Sequence, residues 1–143
     1  MDLKIEVSAG ELLDKISILE IKSERIADPA KLANVLAELQ SLRAAWEASP
    51  LSGRHPTAQR SRLKAVNEAL WDIEDGIRRL EAARSFGAEF VRLARSVYQR
   101  NDERSAIKRE INVLLASRLV EEKSYPDYAA EADRTGKDRG GSA

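Results

Sequence analysis

Apolar residues recur at Leu63, Val66, Leu70, Ile73, Ile77 and Leu80, a heptad seam that never slips. Alternating steps of three and four keep such a stripe on one side of an α-helix, so this run specifies a helix that must bury the stripe against another. Ser85-Phe86-Gly87 interrupts it, after which Phe90, Leu93, Val97, Ile107, Ile111 and Leu114 follow one continuous frame. A tight turn at Gly87 returns the chain antiparallel, and the spacing predicts a helical hairpin. Its second arm runs to Ser117, with Asn101-Asp102 as the place where it would kink.

Two more helices precede the hairpin. Ser8-Ala9-Gly10-Glu11 reads as a capping box, in which the serine hydroxyl takes the N3 amide and the glutamate reaches back to the cap amide. The helix it starts carries Leu12, Leu13, Ile16, Leu19 and Ile26 on one face, with Ile18 and Ile21 nearly opposite. Apolar on two faces, it is either the central helix of a bundle or part of an oligomer interface, and Ile18 and Ile21 are the interface candidates. Asp28-Pro29 supplies an N-cap and a first-turn proline. The second helix then holds Leu32, Val35, Leu39, Leu42 and Trp46 in a strict seam, ended by the Pro/Gly/Ser-rich stretch 49–56.

The ends read differently. Leu3, Ile5 and Val7 alternate with charge, the period of a short half-buried strand or extended arm that lies on the bundle or pairs near Leu119 and Val120. Past Ser117 the periodicity dissolves; Tyr125 and Tyr128 dock the next stretch, and everything past Ala130 is charged and glycine-rich. The expected fold is all-α: an antiparallel helical bundle of four to five helices with a long hairpin and a short N-terminal strand or arm. It forms one domain over residues 1–128, followed by a disordered polar tail over 129–143.

Composition narrows function mainly by exclusion. Twenty-four acids balance twenty-four bases, so nucleic acid is not an expected partner. Cysteine is absent, which removes disulfides and thiolate chemistry, and the one histidine, His55, sits in a loop where it builds no metal site alone. No run is apolar enough to span a membrane and no leader is evident, so the expected location is the cytoplasm. Gly136, Gly140 and Gly141 follow no strand and make no phosphate loop. No catalytic residue, metal or cofactor is expected.

One anomaly remains. The seam places between Val97 and Ile107 fall to Arg100 and Arg104, and an unpaired buried guanidinium costs several kcal/mol. Folding the hairpin at Phe86-Gly87 sets Arg100 beside Ile73 and Glu74, and Arg104 beside Leu70 and Trp71. With Asn67, Asn101 and Lys108 nearby, the middle of the hairpin becomes a polar layer. The layer is either a structural pairing, with Arg100 meeting Glu74 or an acid on the first helix such as Glu20, or a pocket in which Arg100, Arg104 and Lys108 hold a phosphate or carboxylate. The structural pairing is expected for Arg100, while Arg104 faces a pocket near Trp71. The acid pairs Asp72/Asp75 and Glu121/Glu122 face solvent or lie in an extended segment. Trp46 and Trp71, at or beside helix seams, are expected as core residues rather than as platforms for a ring-shaped ligand.

The stretches Gly10-Glu11-Leu12-Leu13-Asp14-Lys15-Ile16, Ile18-Leu19-Glu20-Ile21-Lys22, Leu70-Trp71-Asp72-Ile73-Glu74-Asp75 and Lys108-Arg109-Glu110-Ile111-Asn112 resemble a bacterial domain-of-unknown-function family of small all-helical proteins, from the N-terminal arm to about Tyr128. That resemblance implies the company of glycosyltransferases and cell-surface polysaccharide genes, with no mechanism and no catalytic residue. In placing arginines and a lysine inside a helical bundle, the chain is also similar to all-helical chorismate mutases, which implies a dicarboxylate isomerase. The spacing of the basic residues departs from that pattern, and Glu74 and Glu20 stand ready to neutralise them. The expected function is therefore that of a non-enzymatic accessory protein acting by helix-mediated association, with itself or with a protein partner. Binding of a small anionic ligand at the arginine layer is the alternative.

Overall fold

Ser8 opens the first helix through its hydroxyl, which accepts from the Glu11 amide at 3.1 Å. Helix α1 spans Ala9–Arg25 in the computed structural model, which describes residues 1–128. The other half of the expected capping box does not form, because the Glu11 carboxylate turns instead to Lys108. Asp28 caps α2 (Pro29–Ala48) by accepting from the Lys31 amide at 2.9 Å, with Pro29 in the first turn. A short 3₁₀ turn over Pro50–Arg54 leads to α3 (Thr57–Ala82), and α4 (Ala88–Leu114) returns from it without a break at Asn101. The described residues are all-helical in their regular structure, with four α-helices.

Both long helices end in the same way. The Ser85 amide reaches the Leu80 carbonyl at 2.9 Å, and the Ser117 amide reaches that of Asn112 at 2.8 Å. Left-handed residues, Arg84 and Ala116 at φ 52° and 53°, make both closures. The hairpin turn thus bends at Arg84, and Gly87, the residue expected to turn it, caps the start of α4 at an ordinary φ of −80°.

The N-terminal arm forms no strand. Residues 1–7 are exposed, Leu3 at 92% and Ile5 at 78%, and the arm is tethered by Glu6 to Arg118 at 2.9 Å. No backbone hydrogen bond joins it to residues 117–120, where the Ser117 hydroxyl donates to the Leu119 carbonyl and accepts from the Ala9 amide. Expectations for 129–143 lie outside the described residues.

Leu13, Ile16 and Leu19 of α1 meet Val35, Leu39 and Trp46 of α2, Leu63 and Val66 of α3, and Ile107, Ile111 and Leu115 at the end of α4. Helix α1 is the central one: it runs against all three other helices, whereas α2 lies against α1 and the 3₁₀ turn. Its second buried face differs from the expected one. Gly10, Asp14, Ser17 and Ile21, spaced four, three and four, are all buried. Ile21, at 1% exposure, is covered within its own chain and offers nothing to a partner, while Ile18 is half-buried.

The core occupies one end of the molecule. No residue from 68 to 106 is buried, although Leu70, Ile73, Ile77, Leu80, Phe90, Leu93 and Val97 continue the two seams. Beyond the reach of α1, the α3–α4 hairpin is a two-helix coil on which, among the described residues, only the stretch ending at Tyr128 is laid, against Tyr98 of α4.

Candidate functional site

Three helices converge on Asp14, which is 1% exposed. From α4, Arg104 grips it with both branches of a guanidinium fork, Nε to Oδ1 at 3.0 Å and Nη2 to Oδ2. From α3, the Asn67 amide donates to Asp14 Oδ1 and to Ser17 Oγ, each at 2.9 Å. Lys108 sits one turn below Arg104, 6% exposed, and its ammonium lies 2.6 Å from Glu11, 2.8 Å from Glu121 and 3.8 Å from Asp14. Helix α1 can approach α4 this closely because Gly10 has no side chain. A Cβ there would stand 2.5 Å from the Lys108 carbonyl oxygen, and the Gly10 amide donates to the buried Asn112 side chain at 2.7 Å.

The charges of this layer stabilise one another. The hydrogen bond to Asp14 holds the Arg104 guanidinium above its ordinary range, against the pull of burial. Burial by itself would lower the Lys108 ammonium, but its bonds to Glu11 and Glu121 and the charge of Asp14 outweigh it and raise it. The bond from Lys108 holds the Glu121 carboxyl below the usual carboxylate range. Glu121 belongs to an extended stretch that runs back along α4: Glu122 follows with a pair to Arg109 at 3.0 Å, and Tyr128 packs edge-on against Tyr98, with ring centres 5.2 Å apart.

The arginine layer differs from the expected one. Arg100 points outward and pairs with Glu103 of its own helix at 2.9 Å, both side chains about half exposed. Glu74 is exposed on α3, 3.8 Å from Arg78. A straight helix drifts by about 20° per heptad from a strict seven-residue frame. By the end of α4 that drift puts Leu115, at 1% exposure, where Leu114 was expected, whereas Arg100 keeps the side of the buried Ile107, one heptad on, and is exposed because it lies past the end of the core. Arg100, Arg104 and Lys108 therefore do not converge: one is at the surface and two are neutralised by acids. Arg104 does line a concavity of about 550 Å³ at the root of the hairpin, together with Ile18, Asn67, Trp71, Glu74 and Asn101. Arg25 of α1 covers one side of Trp71 there, its guanidinium 5.8 Å from the ring centre.

Residues 3–134 match the family of unknown function DUF6165. The chain belongs to that family. No curated protein and no solved structure matches it. Membership in DUF6165 assigns no chemistry to the α1, α3 and α4 stretches. Within this DUF6165 chain, the residue that organises the polar layer is Asp14, which the periodicity of α1 hid among its apolar residues. The signal was there in the spacing Gly10, Asp14, Ser17, Ile21, a helical stripe of small and polar residues. Glu11 and Glu121, the other acids of the layer, carry no such mark. No helix among the described residues is long and apolar enough to cross a membrane, and no group of histidine, cysteine and acidic side chains among them is placed to hold a metal ion.

Proposed function

We propose that this protein is a non-enzymatic accessory protein that works by helix-mediated association, and that its docking surface is the distal α3–α4 hairpin. The observation that carries this reading is the absence of any buried residue between 68 and 106 along two apolar seams. Two helices in water cannot bury a seam from all sides; a third or fourth helix normally completes it. Phe86 and Val91 at the tip, 53% and 49% exposed, extend the apolar surface. The second face of α1, which first suggested association, is spent inside the chain on Asp14 and Ile21.

The charged groups of the layer support the same reading. Asp14, Arg104 and Lys108 are engaged with each other and with Glu11, Glu121 and Asn67, an arrangement that fixes the angle of α1 on the hairpin. The setting we propose is the cytoplasm, beside enzymes of carbohydrate or cell-surface polysaccharide metabolism. Size-exclusion chromatography of the tagged protein from its native host, as wild type and as Phe86→Glu/Val91→Glu, tests the reading. The wild type should elute within an assembly and the variant outside it, with unchanged helical circular dichroism. Identical elution of the two would remove the hairpin as the docking surface.

A further inference from the structure

We infer that the hairpin docks on a second copy of this chain, in a two-fold antiparallel pairing of α3 with α3. This inference rests on the hairpin being the docking surface and names what occupies it.

Charge along the hairpin is divided. Residues 68–77 carry Glu68, Asp72, Glu74 and Asp75 and no base, Arg25 of α1 pairing with the first two, and the facing stretch 96–106 balances Arg100 and Arg104 with Asp102 and Glu103; residues 78–95 carry Arg78, Arg79, Arg84, Arg92 and Arg95 against only Glu81 and Glu89. A surface acidic at its root and basic at its tip complements itself when a second copy lies on it head to tail, the arrangement a two-fold interface requires. The midpoint between the last acid, Asp75, and the first base, Arg78, falls between Gly76 and Ile77, so the two-fold axis passes there.

The face is defined by the concavity, because Trp71, Glu74, Asp75 and Arg78 all line it and so lie on one side of α3. Ala82 continues that stripe one turn further on. Turning the stripe about an axis at 76–77 sets Asp75 against Arg78 of the second copy, twice over. It also sets Trp71 against Ala82 of the second copy, a large residue against a small one. The rival partner within the chain is weak: Glu74 and Arg78 stand 3.8 Å apart with side chains 49% and 80% exposed, and such a pair exchanges at little cost. The tip of the second copy would then roof the concavity at Trp71, and the half-buried seams on both copies would form a four-helix layer.

The test uses the full chain and two charge reversals, Glu74→Arg/Asp75→Arg and Arg78→Glu/Arg79→Glu. The wild type should sediment as a dimer. Each variant alone should dimerise on the order of a hundredfold more weakly, since like charges then face each other. An equimolar mixture of the two should regain the dimer mass with one copy of each. Because the chain has no cysteine, Asp75→Cys and Arg78→Cys proteins mixed under mild oxidation give a second reading independent of charge: a cross-linked heterodimer. Variants that stay dimeric alone, a mixture that fails to pair, or no cross-link would overturn the two-fold pairing. A monomeric wild type whose hairpin amides exchange as fast as those of the N-terminal arm would overturn the second copy and leave the hairpin open to a different helix. A monomer whose hairpin amides are protected like the core would overturn the docking reading as well.

Discussion

Asp14 is the residue on which the most depends. It is the acid that Arg104, Lys108 and Asn67 all face, and removing it empties both branches of the buried Arg104 fork and one bond of Asn67, while Lys108 keeps Glu11 and Glu121. Breaking a buried charge pair from one side costs about 3–5 kcal/mol, so Asp14→Ala should lower stability by about 3 kcal/mol in chemical denaturation. Arg100→Ala should change it by less than about 0.5 kcal/mol, because it loses only an exposed i,i+3 pair with Glu103. The contrast checks the polar layer directly. If Arg100→Ala were the costlier change, the pairing of Arg100 across the hairpin read from the sequence would be right and its exposed pairing with Glu103 wrong.

At the scale of elements, the docking of α1 on α4 depends on the contact at Gly10. Glycine is ordinarily a poor helix residue, and replacing it with alanine in an open helix stabilises by roughly 0.5–1 kcal/mol. Here the added methyl group would meet the Lys108 carbonyl at 2.5 Å and the Asn112 side chain at 2.9 Å, and backbone cannot swing aside. Gly10→Ala should therefore destabilise by about 2 kcal/mol, a reversal of sign that a thermal melt would read. A neutral or stabilising result would place α1 further from α4. The extended stretch after α4 is held by a different force, the pairing of Glu121 with Lys108. The Glu121 carboxyl lies below its ordinary value of about 4.3. Between the two values the undocked stretch binds more protons, so docking strengthens as pH rises through that window and is lost as pH falls through the lower value. Glu11 and Asp14 share the same ammonium. The Tyr98–Tyr128 ring contact, followed by nuclear magnetic resonance, should vanish on acidification below the ordinary carboxylate range while the helices persist. It should be weakened already at neutral pH in Glu121→Gln. Ring signals unmoved by both changes would show that the tyrosines hold the stretch without the ion pair.

The whole molecule is a small core with a long hairpin extending from it, and its parts differ in how far local chemistry determines them. The start of α1 at Ser8, the start of α2 at Asp28-Pro29, the α2 seam and the return of the chain between Ala82 and Ala88 were all legible, because a cap or a periodic stripe acts within a turn or two of itself. The hairpin bend was placed three residues late, since glycine is the usual left-handed residue and Arg84 took that conformation instead. The strand read from Leu3, Ile5 and Val7 failed for want of a ladder partner, which alternation within one segment cannot supply. In the candidate site, Arg104 was singled out by its misfit with an apolar seam and Lys108 and Asn67 as polar residues flanking it, and Arg104 does lie beside Trp71. The sequence by itself thus determined the helices, their ends and the antiparallel hairpin, through interactions between residues close along the chain. Only the tertiary structure decided how far along α4 helix α1 reaches, and with it that Asp14 meets Arg104 while Arg100 stays exposed without Glu74, because contact with an acid 90 residues away leaves no local trace.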